Sequence, residues 1–86
     1  MKQYKVILSD KVQKSIKNVS DDYLIKIHKE LSLLSLNPRP PGYIKLVGSK
    51  NACRVRVGVY RIIYTIKDEI LTVEVIKIDH RGNVYR

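Results

Sequence analysis

Apolar and polar positions alternate most regularly between Cys53 and Ile78. Three runs rich in β-branched residues and tyrosine, Cys53–Val57, Tyr60–Lys67 and Ile70–Ile78, are separated by the pairs Gly58-Val59 and Asp68-Glu69. Alternation of this kind marks half-buried strands, and a two-residue break leaves room only for an antiparallel hairpin. With Gly58 first in a two-residue turn, Val57 faces Tyr60 and Arg56 faces Arg61. The same rule at Asp68-Glu69 pairs Lys67 with Ile70, Tyr64 with Val73 and Ile62 with Val75. One sheet face then carries Val55, Val57, Tyr60, Ile62, Tyr64, Ile66, Leu71, Val73 and Val75. The other carries Arg54, Arg56, Arg61, Ile63, Thr65, Thr72, Glu74 and Ile76. A slip of one residue would turn the apolar set to water, which favours this register.

Upstream the period changes. Tyr4–Leu8 alternates as a first strand, and Ser9 or Asp10 offers an N-cap for a short helix through about Lys17, with Val12 and Ile16 on one face. Asn18-Val19-Ser20 interrupts it. Ser20 caps a second helix that runs to about Leu36, and Asp21 and Asp22 suit the positive end of its dipole. Leu24, Ile27, Leu31 and Leu34 form its apolar stripe, broadened by Tyr23 and Leu33, with His28 beside it as a surface residue. Pro38 ends the helix, because the residue before proline disfavours the helical region. Pro38–Gly42 is a stiff loop, Tyr43–Val47 a short extended segment, and Gly48–Asn51 a turn. The predicted fold is α+β in the order β-α-α-β-β-β. A helical hairpin packs on one face of a four-stranded, mainly antiparallel sheet. The first strand lies beside the last, in parallel.

At 86 residues and 44% apolar content, the expectation is one globular domain over residues 1–86. There is no run of 18 apolar residues and no signal-peptide pattern, so a cytoplasmic, membrane-free location is expected. A single Cys53 excludes an internal disulfide and reads as a small buried side chain.

Charge changes the picture more. The formal net charge is +9, with pI ≈ 9.9. No Asp or Glu lies between Leu31 and Lys67, a span that holds Arg39, Lys45, Lys50, Arg54, Arg56, Arg61 and Lys67. So basic a small domain points to nucleic acid, whose phosphates dominate such affinities. Arg39, Lys45, Lys50, Arg54, Arg56 and Arg61 are the candidate contacts. Arg56 opposite Arg61 is unfavourable by itself, since like charges across a ladder repel. With Arg54 on the same face, the arrangement asks for an anion.

No Cys/His set has zinc spacing, no Gly-rich loop precedes a helix, and no Ser-His-Asp set stands out, so neither metal nor cofactor is expected. What remains is Arg54, Arg56 and Arg61 with the tail residues His80, Arg81 and Tyr85, which follow a strand paired to that of Arg61. Such a cluster suits metal-independent RNA cleavage by the 2′-hydroxyl. Guanidiniums stabilise charge on the phosphoryl oxygens but cannot act as bases. The proton must move through another group, with His80 and Tyr85 as candidates. The plainer readings are that the arginines only bind nucleic acid, that Tyr85 packs on the sheet, and that His80 is a loop residue.

At these residues, Leu46-Val-Gly48, Arg54-Val-Arg-Val-Gly-Val-Tyr-Arg-Ile-Ile-Tyr64 and His80-Arg-Gly-Asn-Val-Tyr85, the chain resembles the RelE toxins of the RelE/ParE superfamily over nearly its whole length. The resemblance implies a type II toxin–antitoxin toxin, a ribosome-dependent endoribonuclease that cuts mRNA in the ribosomal A site and inhibits translation. The matching site positions are Arg54, Arg56, Arg61, Arg81 and Tyr85. Familiar members carry lysines where Arg54 and Arg56 stand, one of them favoured as general base, so that role passes here to His80, Tyr85 or no single strong base. The implied partners are the ribosome with its message and an acidic, RelB-like antitoxin that neutralises the basic face. Two alternatives stand beside this one: a ParE-like inhibitor of DNA gyrase, against which the arginine set and Tyr85 argue, and a non-catalytic RNA- or ribosome-binding module.

Overall fold

Ser9 and Ser20 stand at the N-caps of the two helices. The computed structural model describes residues 3–48 and 51–80. Strand β1 spans Lys5–Leu8. Helix α1, Asp10–Ser15, runs on into a single 3₁₀ turn, Ile16–Asn18, and helix α2 spans Asp21–Leu36. Ser9 Oγ accepts the Val12 N–H at 3.2 Å, which satisfies one of the donors a helix start leaves open. Ser20 caps α2 through its extended backbone, without a side-chain hydrogen bond. Three of the four stripe residues, Ile27, Leu31 and Leu34, are buried. Leu24 is only half-buried, and Leu33 is exposed.

The sheet is built from β1, β2 (Ile44–Lys45), β3 (Ala52–Val57), β4 (Tyr60–Lys67) and β5 (Thr72–His80), in the order β1-β5-β4-β3-β2. Only the β1–β5 pair is parallel, with Lys5 opposite Thr72, as expected from the long connection between them. The described sheet has five strands where four were expected. The additional one lies within the Tyr43–Val47 extended segment and pairs Ile44 with Arg54 and Lys45 with Cys53. Two residues are too few for alternation to reveal a strand.

The β3–β4 hairpin has the expected register, Val57 opposite Tyr60 and Arg56 opposite Arg61. Gly58 takes φ 58°, and a Cβ there would lie 2.7 Å from Tyr23 Cε1. Both backbone conformation and space therefore require glycine at this turn. The β4–β5 hairpin differs from expectation. Asp68–Ile70 forms a 3₁₀ turn and Leu71 closes it at φ 47°. The connection is thus four residues long, and the register moves by two: Lys67 faces Thr72 and Tyr64 faces Val75. A shift of two keeps every side chain on its face, so the apolar assignment survives the error. A β-bulge near Ile63/Tyr64 then shifts the pairing again, so that Ile62 faces Ile78, Arg61 faces Asp79 and Tyr60 faces His80. The extra residue turns Ile78 inward, where it is buried.

Both helices pack on one side of the sheet. Val12, Ile27, Leu31 and Leu34 meet Cys53, Val55, Val57, Ile62, Tyr64, Val73, Val75 and Ile78 in one core. Each such buried aliphatic side chain contributes roughly 1.5–3 kcal/mol. Tyr64 is fully buried; its hydroxyl donates to the Pro38 carbonyl at 2.7 Å, tying the end of α2 to the sheet. Burial pushes its phenol pKa well above the usual value. At the same end of the sheet, Asp68 accepts from Tyr4 at 2.5 Å and from Arg39 at 2.8 Å and 3.3 Å. The Arg39 guanidinium, and then the Tyr4 hydroxyl, hold the Asp68 carboxyl down at about 2. No described helix is long and apolar enough to cross a membrane.

Candidate nucleic-acid interface

The helices leave the opposite sheet face to the residues that alternate with the core. Across β3, β4 and β5, one row of that face reads Arg56, Arg61, Asp79, and the neighbouring row, extended to β2, reads Ile44, Arg54, Ile63, Lys77. Directly opposed residues in a sheet have Cβ atoms about 4.5–5.5 Å apart. Like charges directly opposed across a ladder are unfavourable. Arg56 is exposed, while Arg54 and Arg61 are half-buried, and the Nε of the Arg61 guanidinium is itself buried. Gly42, Ile44, Arg54 and Arg56 line a groove of about 350 Å³ at the β2 edge. An anion over these rows would meet positive charge from two adjacent strands, held by a rigid backbone.

Arg54, Arg56 and Arg61 are therefore brought together on one face. Other expected members lie elsewhere. His80 pairs with Tyr60, on the core-facing side of the sheet, and its ring stands edge-on to that tyrosine at 5.2 Å. Tyr60 in turn packs at 5.0 Å against Tyr23 of α2. The strand pairing thus sets His80 on the face opposite the one that carries Arg56 and Arg61. With one residue of β5 given to the bulge, the alternation that sets Asp79 on the arginine face sets His80 on the other. His80 instead lines a cleft with Ser15, Asn18, Val19, Tyr60, Ile78 and Asp79.

The wider basic set is also divided. Lys45 is paired with Cys53, whose side chain faces the core, and Arg39 is held by Asp68. Both line a concavity of about 290 Å³ with Tyr43, Asn51, Cys53, Ile66, Lys67, Asp68 and Glu69. The basic residues thus occupy two surfaces rather than one face. Cys53 is buried, and burial pushes its thiol pKa up, as suits a packing residue. Lys50, Arg81 and Tyr85 lie outside the described residues.

Asp79, which sequence reasoning did not single out, stands in the arginine row beside Arg61, and its carboxylate is 3.2 Å from Lys77 Nζ. The bulge was its signal: in Val75-Ile-Lys-Ile78 strict alternation would turn Lys77 into the core.

A family model described as "ParE toxin of type II toxin-antitoxin system, parDE" matches residues 6–85. Toxin RelG of Mycobacterium tuberculosis is 39% identical over 57 residues, which is 66% of this chain and 62% of RelG, so the match spans less than two thirds of that relative. Among solved structures, the archaeal RelE–RelB complex from Pyrococcus horikoshii is similar with a TM-score of 0.84 at 24% identity, covering 95% of this chain and 99% of that one. The RelBE2 toxin–antitoxin complex of Mycobacterium tuberculosis gives 0.83 at 25% identity, covering 95% of each chain. The intact Escherichia coli RelBE complex gives 0.80 at 22% identity, covering 90% and 95%.

Proposed function

The chain belongs to the RelE/ParE family of type II toxins, and on that premise we propose that it is a ribosome-dependent endoribonuclease acting on mRNA in the A site. The observation that carries this reading is the arginine row, Arg56 directly opposite Arg61 with Arg54 in the next row, on the face that α1 and α2 do not cover. Arg56 and Arg61 bind the non-bridging oxygens of the scissile phosphate. Charge grows there as the 2′-hydroxyl attacks, and preorganised guanidiniums are most effective against growing charge. Arg54 and the groove beside Ile44 hold the neighbouring nucleotide. Arg81 and Tyr85, at positions that match the family's site, complete the assembly. Arg39 and Lys45 contact RNA away from the cut, and Lys50 is a further candidate contact.

The partner that restrains the toxin is an acidic antitoxin, by analogy with the RelB chains bound to the solved relatives. A net charge of +9 favours it, since opposite charge speeds encounter. The site of action is the cytoplasm, where ribosomes and antitoxin meet.

The ParE description of the matching family favours a second reading, inhibition of DNA gyrase without chemistry. Toeprinting on programmed ribosomes separates the two. The expected result is a cut within the A-site codon, reduced at least about 10²-fold in Arg61→Ala, as for loss of an oxyanion-stabilising group. Intact message, with relaxed plasmid accumulating when gyrase is present, would establish the second reading instead.

A further inference from the structure

Charge stabilisation alone does not move the 2′ proton. Arginine cannot accept it at neutral pH, and His80, exposed and edge-on to Tyr60, is set by the strand pairing on the face opposite the arginines. Among the described residues, the arginine row itself ends in a proton acceptor, Asp79, directly opposite Arg61. We propose that Asp79 is the general base of the cleavage reaction. This inference rests on the endoribonuclease reading given above.

Three features carry it. The bulge in β5 sets Asp79 on the arginine face; without the additional residue Ile78 would stand opposite Arg61 and Asp79 would turn toward the core. The side chain is 25% exposed, shielded enough to be held in place and open enough to meet a substrate. Lys77 Nζ lies 3.2 Å from Oδ2, which holds the carboxylate at the end of the arginine row. The charged groups facing Asp79 are Lys77 on its own strand, Arg61 on β4 and, one strand further, Arg56. The cleft that Asp79 also lines presents Ser15, Asn18 and Val19, which do not titrate, and the two titratable groups Tyr60 and His80. The other carboxylate on this face, Glu74, is opposite Thr65 and within 3.9 Å of Lys67, several residues from the arginine row.

The step balances. Asp79 takes the proton from O2′ as the O2′–P bond forms. The P–O5′ bond breaks with its electron pair going to O5′, and that oxygen takes a proton from water. The products are a 2′,3′-cyclic phosphate and a 5′-hydroxyl, and Asp79 returns its proton to solvent. Because the base must be ionised, the rate falls on the acid side as the carboxylate becomes protonated.

The test is single-turnover cleavage of a ribosome-bound message, at saturating toxin, across a pH series. Asp79→Asn keeps the size of the side chain and removes the base. The expected result is a loss of about 10²–10⁴-fold with binding to programmed ribosomes equal to or tighter than wild type. The residual rate no longer falls on the acid side, and Asp79→Glu recovers part of the loss. If wild type cuts and Asp79→Asn cuts equally fast, or if His80→Gln abolishes cutting while Asp79→Asn does not, the inference fails and the endoribonuclease reading stands. A wild-type chain that leaves the message intact overturns both.

Discussion

Single residues settle where charge is tolerated. Asp68 sits between Tyr4 and Arg39, and the neighbouring guanidinium holds its carboxyl at about 2 rather than 3.8. A depressed carboxyl stabilises the folded chain fully above its unfolded value, and that contribution is lost as pH falls through the folded one. Melting temperature is therefore expected to drop between about pH 4 and about pH 2. Asp68→Asn should flatten that segment of the Tm–pH curve and leave the curve above pH 5 parallel to wild type. The effect is small and weakened by salt, because the pair is about half exposed. This contact was illegible in the sequence: Arg39 and Asp68 are 29 residues apart, and nothing in either residue type names its partner. Arg56 and Arg61 were legible because Gly58 lies between them and fixes their pairing through turn geometry alone. Asp79 was not, since its face depends on a bulge, a local departure from the alternation used to read it.

At the scale of elements, pattern and caps carried the reading far. The helix starts at Ser9 and Ser20 follow from the change of period and polar N-cap residues, the stop from Pro38, and the parallel β1–β5 pairing from the long connection between those strands. The β4–β5 connection did not, because Asp68-Glu69 was taken as a complete turn while Ile70 and Leu71, apolar residues with strand propensity, also belong to it. Turn chemistry at Gly58 is the firmer case. There an added methyl meets both a left-handed backbone and the Tyr23 ring, whereas at Gly42, with φ 90°, no atom lies within 4 Å of the added Cβ. Alanine where φ is positive costs roughly 1 kcal/mol or more. Gly58→Ala is thus expected to destabilise more than Gly42→Ala in urea unfolding. Equal midpoints would show that the Tyr23 contact yields freely.

The whole molecule is a two-layer sheet with an asymmetric charge distribution. One face is committed to the helices and the core; the other carries Arg54, Arg56, Arg61, Lys77 and Asp79 on three adjacent strands. The fold is the one shared with the toxin structures, and the arginine face is what the proposed action on a phosphodiester rests on. The claim at the centre is that Arg56 and Arg61 form one anion site on the message. Single-turnover cleavage of ribosome-bound mRNA by wild type, Arg56→Ala, Arg61→Ala and the double variant tests it most directly. Residues that stabilise the same developing charge lose less together than the product of their separate losses. The expected result is a large loss in each single variant and a double variant only slightly slower than the worse of the two. Losses that simply multiply, or a message that none of the four proteins cuts, would contradict the account.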